Sequence, residues 1–335
     1  ICLVGSEMCI RDSIITRILI VKNMQSYIRT TESDRVILVE LTNPPHQFMN
    51  EPMVHELREL FAKADLDPGI GAVVITGSGQ GRFLAHYDVE GIAEGAKSSP
   101  AVSERLARFT IDLARALRHI PGVENLLRNT SLGGVIQVLR IHDMFMDMGD
   151  SGTLYIAAIN GQVGGGGMEL ALACDLRFIS DQGEMAQPES VMGIIPGAGG
   201  TQRLCRLIGH AKALEIMLTG RRVYAEEAGQ LGLVNRVFPH EQLVDGVMNI
   251  AKRLARLHPA SIKGIKKSVN SGGSMSLPSG LKIEQAAFLH CIGFSTVQES
   301  LSKYVSKTKS EGVVPYWDPE MGEQLEGVTW AGFDD

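Results

Sequence analysis

At 335 residues, with 44% hydrophobic and 21% charged residues and a formal net charge of −6, the chain can bury a sizeable core and carries no long basic stripe, which argues against nucleic acid as its main partner. The five cysteines, Cys2, Cys9, Cys174, Cys205 and Cys291, form no CxxC pair and no cluster with histidine at metal-ligand spacing, so a reduced, cytoplasmic setting without a structural metal is expected. No apolar stretch reaches the roughly 20 residues of a membrane span; even residues 14–21 are interrupted by Thr16 and Arg17.

Residues 1–23 read as a leader outside the fold, artefactual or disordered, because Glu7, Arg11 and Asp12 break the apolar run at its start; Met24 is the expected beginning of the protein proper. Residues 35–41 have the β-branched and apolar density of a strand, which Asn43, Pro44 and Pro45 end. Val54, Leu57, Leu60 and Phe61 recur at helical spacing within residues 53–64, and Asp67, Pro68 and Gly69 break that helix. A second strand over 70–76 follows, so strand, helix and strand predict a parallel pair with a right-handed crossover. Residues 92–148 read as mostly helical with an interruption at Gly133 and Gly134, either a cover over a site or a packed insertion. Strands at 154–159 and 176–179 are followed by helical patterns at 211–218, 225–231 and 242–257, with a short strand at 233–238 between the last two. A helical stretch at 281–307 precedes a tail with proline and tryptophan. The class is α/β, built from repeated strand and helix units.

Two glutamates, Glu169 and Glu189, lie 20 residues apart in glycine-rich surroundings. The apolar run 154–159 passes through Gly164, Gly165, Gly166 and Gly167 into residues 168–176, whose leucines and alanines read as a buried helix. The pattern predicts a strand, a glycine turn and a helix start. Glycines let the main chain approach a ligand closely, and the unpaired N–H groups of a turn and helix N-terminus can hydrogen-bond a developing negative charge. A carboxylate just inside such a helix is placed to handle a proton.

These residues resemble the enoyl-CoA hydratase/isomerase family, also called the crotonase family, over roughly residues 36–270. Ala158-Ile159-Asn160-Gly161, the glycine run, Glu169-Leu170-Ala171 and Cys174-Asp175 are similar to the family's first glutamate motif. Ala186-Gln187-Pro188-Glu189 through Gly200-Thr201-Gln202-Arg203 is similar to its second, and residues 218–228, 232–237 and 260–264 resemble further family segments in the same order. The resemblance implies a crotonase-like spiral of repeated β-β-α units over residues 24–240 and a C-terminal helical oligomerisation region with a tail over 241–335, assembling as a trimer or hexamer. It implies an acyl-CoA thioester as the partner, with coenzyme A part of the substrate and no separate cofactor or metal. The backbone N–H groups of Tyr87 and Gly166 would hold the thioester carbonyl oxygen, and such a donor is worth about 3 kcal/mol in the transition state. Glu169 and Glu189 would act as acid and base on one water added across the 2,3 double bond, while Ala85, His86, Asp88 and Gly165 line the substrate.

One departure is visible. His86 and Tyr87 stand where the family usually has Gly and Ala, and the stretch from Asp88 to Asn160 is longer than is common in the family, so a remodelled acyl pocket is expected. His86 is either a base or a hydrogen-bonded structural residue, Asp88 a holder of the donor loop, and Cys174 a small buried thiol. Lys263, Lys266 and Lys267 are either contacts for a coenzyme A phosphate or solvated charges. Among enzymes, a double-bond isomerase or a thioester hydrolase shares the same carbonyl site. Of another class are a non-catalytic acyl-CoA-binding scaffold and a dinucleotide-binding protein in which the glycines form the fingerprint and Glu189 is the acid about 20 residues on. Against the last, Glu189 follows Met185-Ala186-Gln187-Pro188 rather than capping an apolar strand.

Overall fold

In the computed structural model, residues 26–312 and 314 are described, except 80, 99, 100, 121, 129 and 131. The expected leader, the start at Met24 and the tryptophan-containing tail lie outside the described residues. Strand β1 (Ile28–Ser33) turns back antiparallel onto β2 (Val36–Leu41), which feeds helix α1 (Glu51–Leu66) and then β3 (Ala72–Gly77). Asn50 caps α1 by accepting the Met53 N–H, and Pro52 sits in the first turn, where its missing N–H costs nothing. β2 and β3 pair in parallel, Val36 opposite Ala72, as strand-helix-strand spacing predicts.

The chain then leaves the sheet for β4 (Gly81–Leu84) and four helices, α2 (Val89–Ser98), α3 (Glu104–Leu117), α4 (Val123–Arg128) and α5 (Gly133–Asp150). It returns as β5 (Leu154–Ile159), steps out to β6 (Gly161–Gly164), enters α6 (Gly165–Ala173) and returns again as β7 (Leu176–Ser180). After β8 (Glu184–Ala186) come a short 3-10 turn at Glu189–Met192, α7 (Gly200–Ile208), α8 (His210–Thr219), β9 (Arg222–Tyr224), α9 (Ala225–Gln230) and β10 (Arg236–Phe238). α10 (Leu243–Leu254), α11 (Pro259–Asn270), α12 (Leu277–Ile292) and α13 (Ser295–Glu311) complete the described chain.

The strands form a six-stranded sheet, β1-β2-β3-β5-β7-β10, and a four-stranded one, β4-β6-β8-β9. Each return to the large sheet is followed by one strand of the small sheet: β3 by β4, β5 by β6, β7 by β8. This is the repeated β-β-α path expected from the resemblance. Asn160 pins one corner of it, donating from Nδ2 to the Gly77 and Gly79 carbonyls at 3.0 Å each.

Alternate residues of the large sheet enter different cores. Val73, Ile75, Tyr155 and Ala157 face one cluster with α1, α5 and α6; Ala72, Val74, Ile156 and Ala158 face another, covered by Leu243, Val247 and Ala251 of α10 and Ile262 of α11. With both faces buried, β3 and β5 read as continuous apolar runs rather than as alternation. α5 contributes Ile141, Met144, Phe145 and Met148 to the first core, so this part of the long insertion is packed structure rather than a cover.

Three boundaries differ from expectation. The helix expected at 168–176 runs from Gly165 to Ala173; of the glycine run, Gly164 ends strand β6 and Gly165, Gly166 and Gly167 already belong to the helix, so no separate turn lies between them. Leu233 and Val234 close the end of α9, donating to the Ala228 carbonyl at 2.9 and 3.3 Å, which shortens the strand expected at 233–238 to Arg236–Phe238. The helical stretch at 281–307 is two helices, with Gly293 capping the end of α12.

Candidate active site

Glu169 projects from α6, entirely buried among apolar neighbours, and is itself only 3% exposed. Its Oε1 accepts two backbone N–H bonds, from Ala198 and Gly200, each at 2.7 Å. Gly200 opens α7, so the carboxylate meets the positive end of a second helix. Burial nevertheless dominates and pushes the carboxyl up to about 7, with the Glu189 charge adding to the rise and the Gly200 and Ala198 amides and Arg203 opposing it.

Glu189, on the 3-10 turn, is 7% exposed. Gln187 Nε2 donates to its Oε1 at 3.0 Å, while Oε2 is buried with no protein partner among the described residues. Burial raises this carboxyl too, against the hydrogen bond from Gln187 and the His86 imidazole nearby. Gln187, fully buried, stands between the two acids: a Cβ placed on Gly200 would lie 3.1 Å from both Gln187 Nε2 and Glu169 Oε1. The site therefore holds two buried carboxyls, each with its proton affinity raised by burial, beside a buried amide.

A second wall is formed by the glycines at the start of α6. Gly165 has φ of +48°, in the left-handed region that glycine tolerates, and a Cβ there would lie 3.2 Å from both Glu189 Oε1 and His86 Cβ. A Cβ on Gly166 would lie 3.5 Å from the Tyr87 nitrogen and 2.9 Å from Met49 Cε. Such a Cβ would also lie 3.1 Å from Tyr87 Cβ, so the absence of a side chain is what lets Gly166 pack against Met49 and Tyr87; a first-turn amide has no partner within its own helix.

The segment around Tyr87 is held by Met49, whose N–H donates to the His86 carbonyl at 2.9 Å and whose carbonyl accepts the Asp88 N–H at 2.8 Å. Ala85 N–H donates to the Gln47 carbonyl at 3.0 Å, and Asp88 Oδ1 accepts the Glu90 N–H at 3.0 Å at the entry to α2. The Tyr87 ring lines a narrow cleft with Glu51, Val54, Gln137 and Arg140 between α1 and α5; burial, then Glu51 and Asp88, push its phenol up to about 12. Ala85, His86, Tyr87, Asp88, Gly165, Gly166, Glu169 and Glu189 are accordingly gathered around one place.

The family model described as enoyl-CoA hydratase/isomerase matches residues 137–312, just over half of the 335. The chain belongs to that family. The mitochondrial enoyl-CoA hydratase of Pongo abelii is 29% identical over 83% of this chain and 84% of its own length. The short-chain-enoyl-CoA hydratase of Clostridium acetobutylicum is 28% identical over 84% and 95%. The crystal structure of an enoyl-CoA hydratase from Bacillus anthracis superposes with a TM-score of 0.68 at 28% identity, covering 84% of this chain and 97% of that one. The fold is the crotonase fold, and the chain is an enzyme of that type.

Within this enoyl-CoA hydratase/isomerase-family chain, several partners of the acids were not legible as such. Gln187 was visible only as part of a motif, yet it is the residue bonded to Glu189. Gly197, Ala198 and Gly200 hold the surroundings of Glu169; His142 of α5 bonds the Gly197 carbonyl through Nε2 at 2.9 Å, and Arg203 bonds the Ala198 carbonyl at 3.2 Å. The glycine-rich run before α7 was the available signal, since a glycine loop feeding a helix exposes amides to an acid. Lys266 is not a free cation: buried, it bonds Asp175 Oδ2 and the Thr153 carbonyl at 2.8 Å each, tying α11 to the large sheet. Cys174 is buried and its thiol is pushed up to about 12 by that burial, as a structural thiol requires. No helix among the described residues is long and apolar enough to cross a membrane.

Proposed function

We propose that this enzyme hydrates 2-enoyl-CoA thioesters, adding water across the 2,3 double bond with Glu169 and Glu189 as an acid and base pair. The observation that carries this reading is the buried pair itself: Glu169 fixed by two amides, Glu189 fixed through one oxygen by Gln187, and Glu189 Oε2 left for a ligand. The N–H groups of Gly166, in the first turn of α6, and of the neighbouring Tyr87 suit the thioester carbonyl oxygen. As the water oxygen bonds C3, its proton passes to the carboxylate of the pair, and the π electrons move toward the carbonyl oxygen as an enolate held by the two amides. The carboxylic acid of the pair then delivers a proton to C2. One proton is taken and one given, so the pair returns to its starting charge without a further cofactor. Two interacting carboxyls titrate as a unit, and the raised affinity of both suits a pair that must keep one proton near neutral pH.

Self-association is part of the proposal. α12 buries none of its residues within the chain and exposes Leu277, Phe288 and Leu289, an apolar surface suited to another copy of this C-terminal region.

The test is turnover of a short panel of 2-enoyl-CoA thioesters, followed by loss of the conjugated-thioester absorbance. Formation of 3-hydroxyacyl-CoA supports hydration. Migration of the double bond without uptake of water makes the enzyme an isomerase, release of free coenzyme A makes it a hydrolase, and tight acyl-CoA binding without turnover makes it a scaffold.

A further inference from the structure

His86 occupies a position that a residue without a side chain fills in the resembling motif, and its imidazole is held on two sides. Its ring stacks on Phe48 at 4.4 Å between centroids and 27° between planes, and Phe48 stacks in turn on His46 at 5.1 Å. Its Nδ1 lies 2.6 Å from the Tyr87 carbonyl oxygen. A carbonyl oxygen only accepts, so Nδ1 carries the proton, and it does so in the neutral ring and in the imidazolium alike.

The bonds of this segment divide by function. Met49 takes the His86 carbonyl and the Asp88 N–H, and the Tyr87 N–H and C=O have no part in that bridge. His86 satisfies the Tyr87 C=O. The Tyr87 N–H, the amide beside Gly166, is in none of these bonds. The Tyr87 N–H shares its peptide with the His86 C=O that Met49 holds, and the Tyr87 C=O shares the next peptide with the Asp88 N–H that Met49 also holds; the imidazole adds a second bond to that next peptide, so the two peptides that meet at the Tyr87 Cα are fixed together.

We infer that His86 is a positioning residue whose Nδ1–H, by holding the Tyr87 carbonyl oxygen, fixes the backbone of residue 87 with its N–H directed at the carbonyl oxygen of a bound acyl thioester. This rests on the proposed reading of Tyr87 N–H as a carbonyl donor. The inference assigns His86 no proton transfer, which separates it from a general base. Asparagine distinguishes the two roles, because its Nδ2 reaches about the place of the imidazole Nδ1 and donates a hydrogen bond but takes up no proton near neutral pH.

The experiment binds butyryl-CoA, a saturated thioester that cannot be hydrated, to the full chain and records the thioester C=O stretch by isotope-edited infrared difference spectroscopy. Wild type is expected to lower the stretch relative to free butyryl-CoA. His86→Ala is expected to lose more than half of that shift and to lower kcat for 2-enoyl-CoA hydration by roughly 10- to 100-fold, as misplacement of a positioned group does, with a smaller change in KM. His86→Asn is expected to restore most of the shift and of kcat. A full shift in His86→Ala, or a shift in His86→Asn as small as in His86→Ala, overturns the inference. A normal shift in wild type without hydration of any enoyl-CoA refutes the proposed reaction and leaves the role of His86 standing; no shift in wild type refutes both.

Discussion

The N–H of Gly200 donates to Glu169 Oε1 at 2.7 Å, so the first amide of one helix holds the carboxylate that another helix delivers. Little space surrounds that bond: a Cβ on Gly200 would meet Pro196 Cβ at 3.0 Å as well as Glu169 and Gln187 at 3.1 Å. Gly200→Ala is therefore expected to lower stability by about 1–3 kcal/mol, the usual cost of overpacking, and to lower kcat more than KM. Denaturant unfolding and steady-state kinetics on the same preparation check this; unchanged kcat would mean that the bond does not set the carboxylate's position.

The raised Glu169 carboxyl gives stability a definite pH dependence. Burial lifts it from 4.5 to about 7, so between those values the folded protein holds a proton that the unfolded chain releases. Folding then binds protons, and this group's contribution to stability falls as pH rises through that window, with the full cost of the buried charge present above it. Glu169→Gln keeps an oxygen for the Ala198 and Gly200 amides and removes the charge. Its melting temperature relative to wild type is expected to be higher at pH 8 than at pH 5; a difference that does not change with pH would show that Glu169 carries no such shift.

Gln187 holds Glu189 through a bond that favours the ionised carboxylate. Gln187→Leu removes that donor at nearly constant volume. It is expected to lower kcat by about 10- to 100-fold through misplacement of the carboxylate and to move the acid limb of the kcat/KM profile to higher pH. A pH profile identical to wild type would contradict the assignment.

Removing the Lys266 cation strands a buried carboxylate. Side chains of Lys266 and Asp175 are 6% and 11% exposed, and breaking such a pair from one side costs about 3–5 kcal/mol. Lys266→Met is expected to lower stability on that scale while the folded fraction keeps its KM for acyl-CoA, as a residue remote from coenzyme A would. A raised KM with unchanged stability would restore Lys266 as a phosphate contact.

The fold was legible where burial is two-sided or periodic: the runs containing Val73 to Ile75 and Tyr155 to Ala158 declare central strands, and Leu57 and Phe61 declare the inner face of α1. The small sheet was not. β4, β8 and β9 are only three or four residues long, and β6 is half glycine, so neither alternation nor propensity has room to register. The acids themselves stood out because Glu169 interrupts an otherwise apolar helix. Their partners did not, since the Ala198 and Gly200 amides act through the backbone and Gln187 acts by being buried, and neither property is written in a side-chain pattern.

The most direct test of the central claim is kcat for hydration of a short-chain 2-enoyl-CoA by wild type, Glu169→Gln and Glu189→Gln, each first shown to be folded and to bind acyl-CoA. Loss of about 10²- to 10⁴-fold in each single variant, the range for a placed acid or base, is the predicted result. Hydration at the wild-type rate with either glutamate replaced would contradict a paired-carboxylate mechanism.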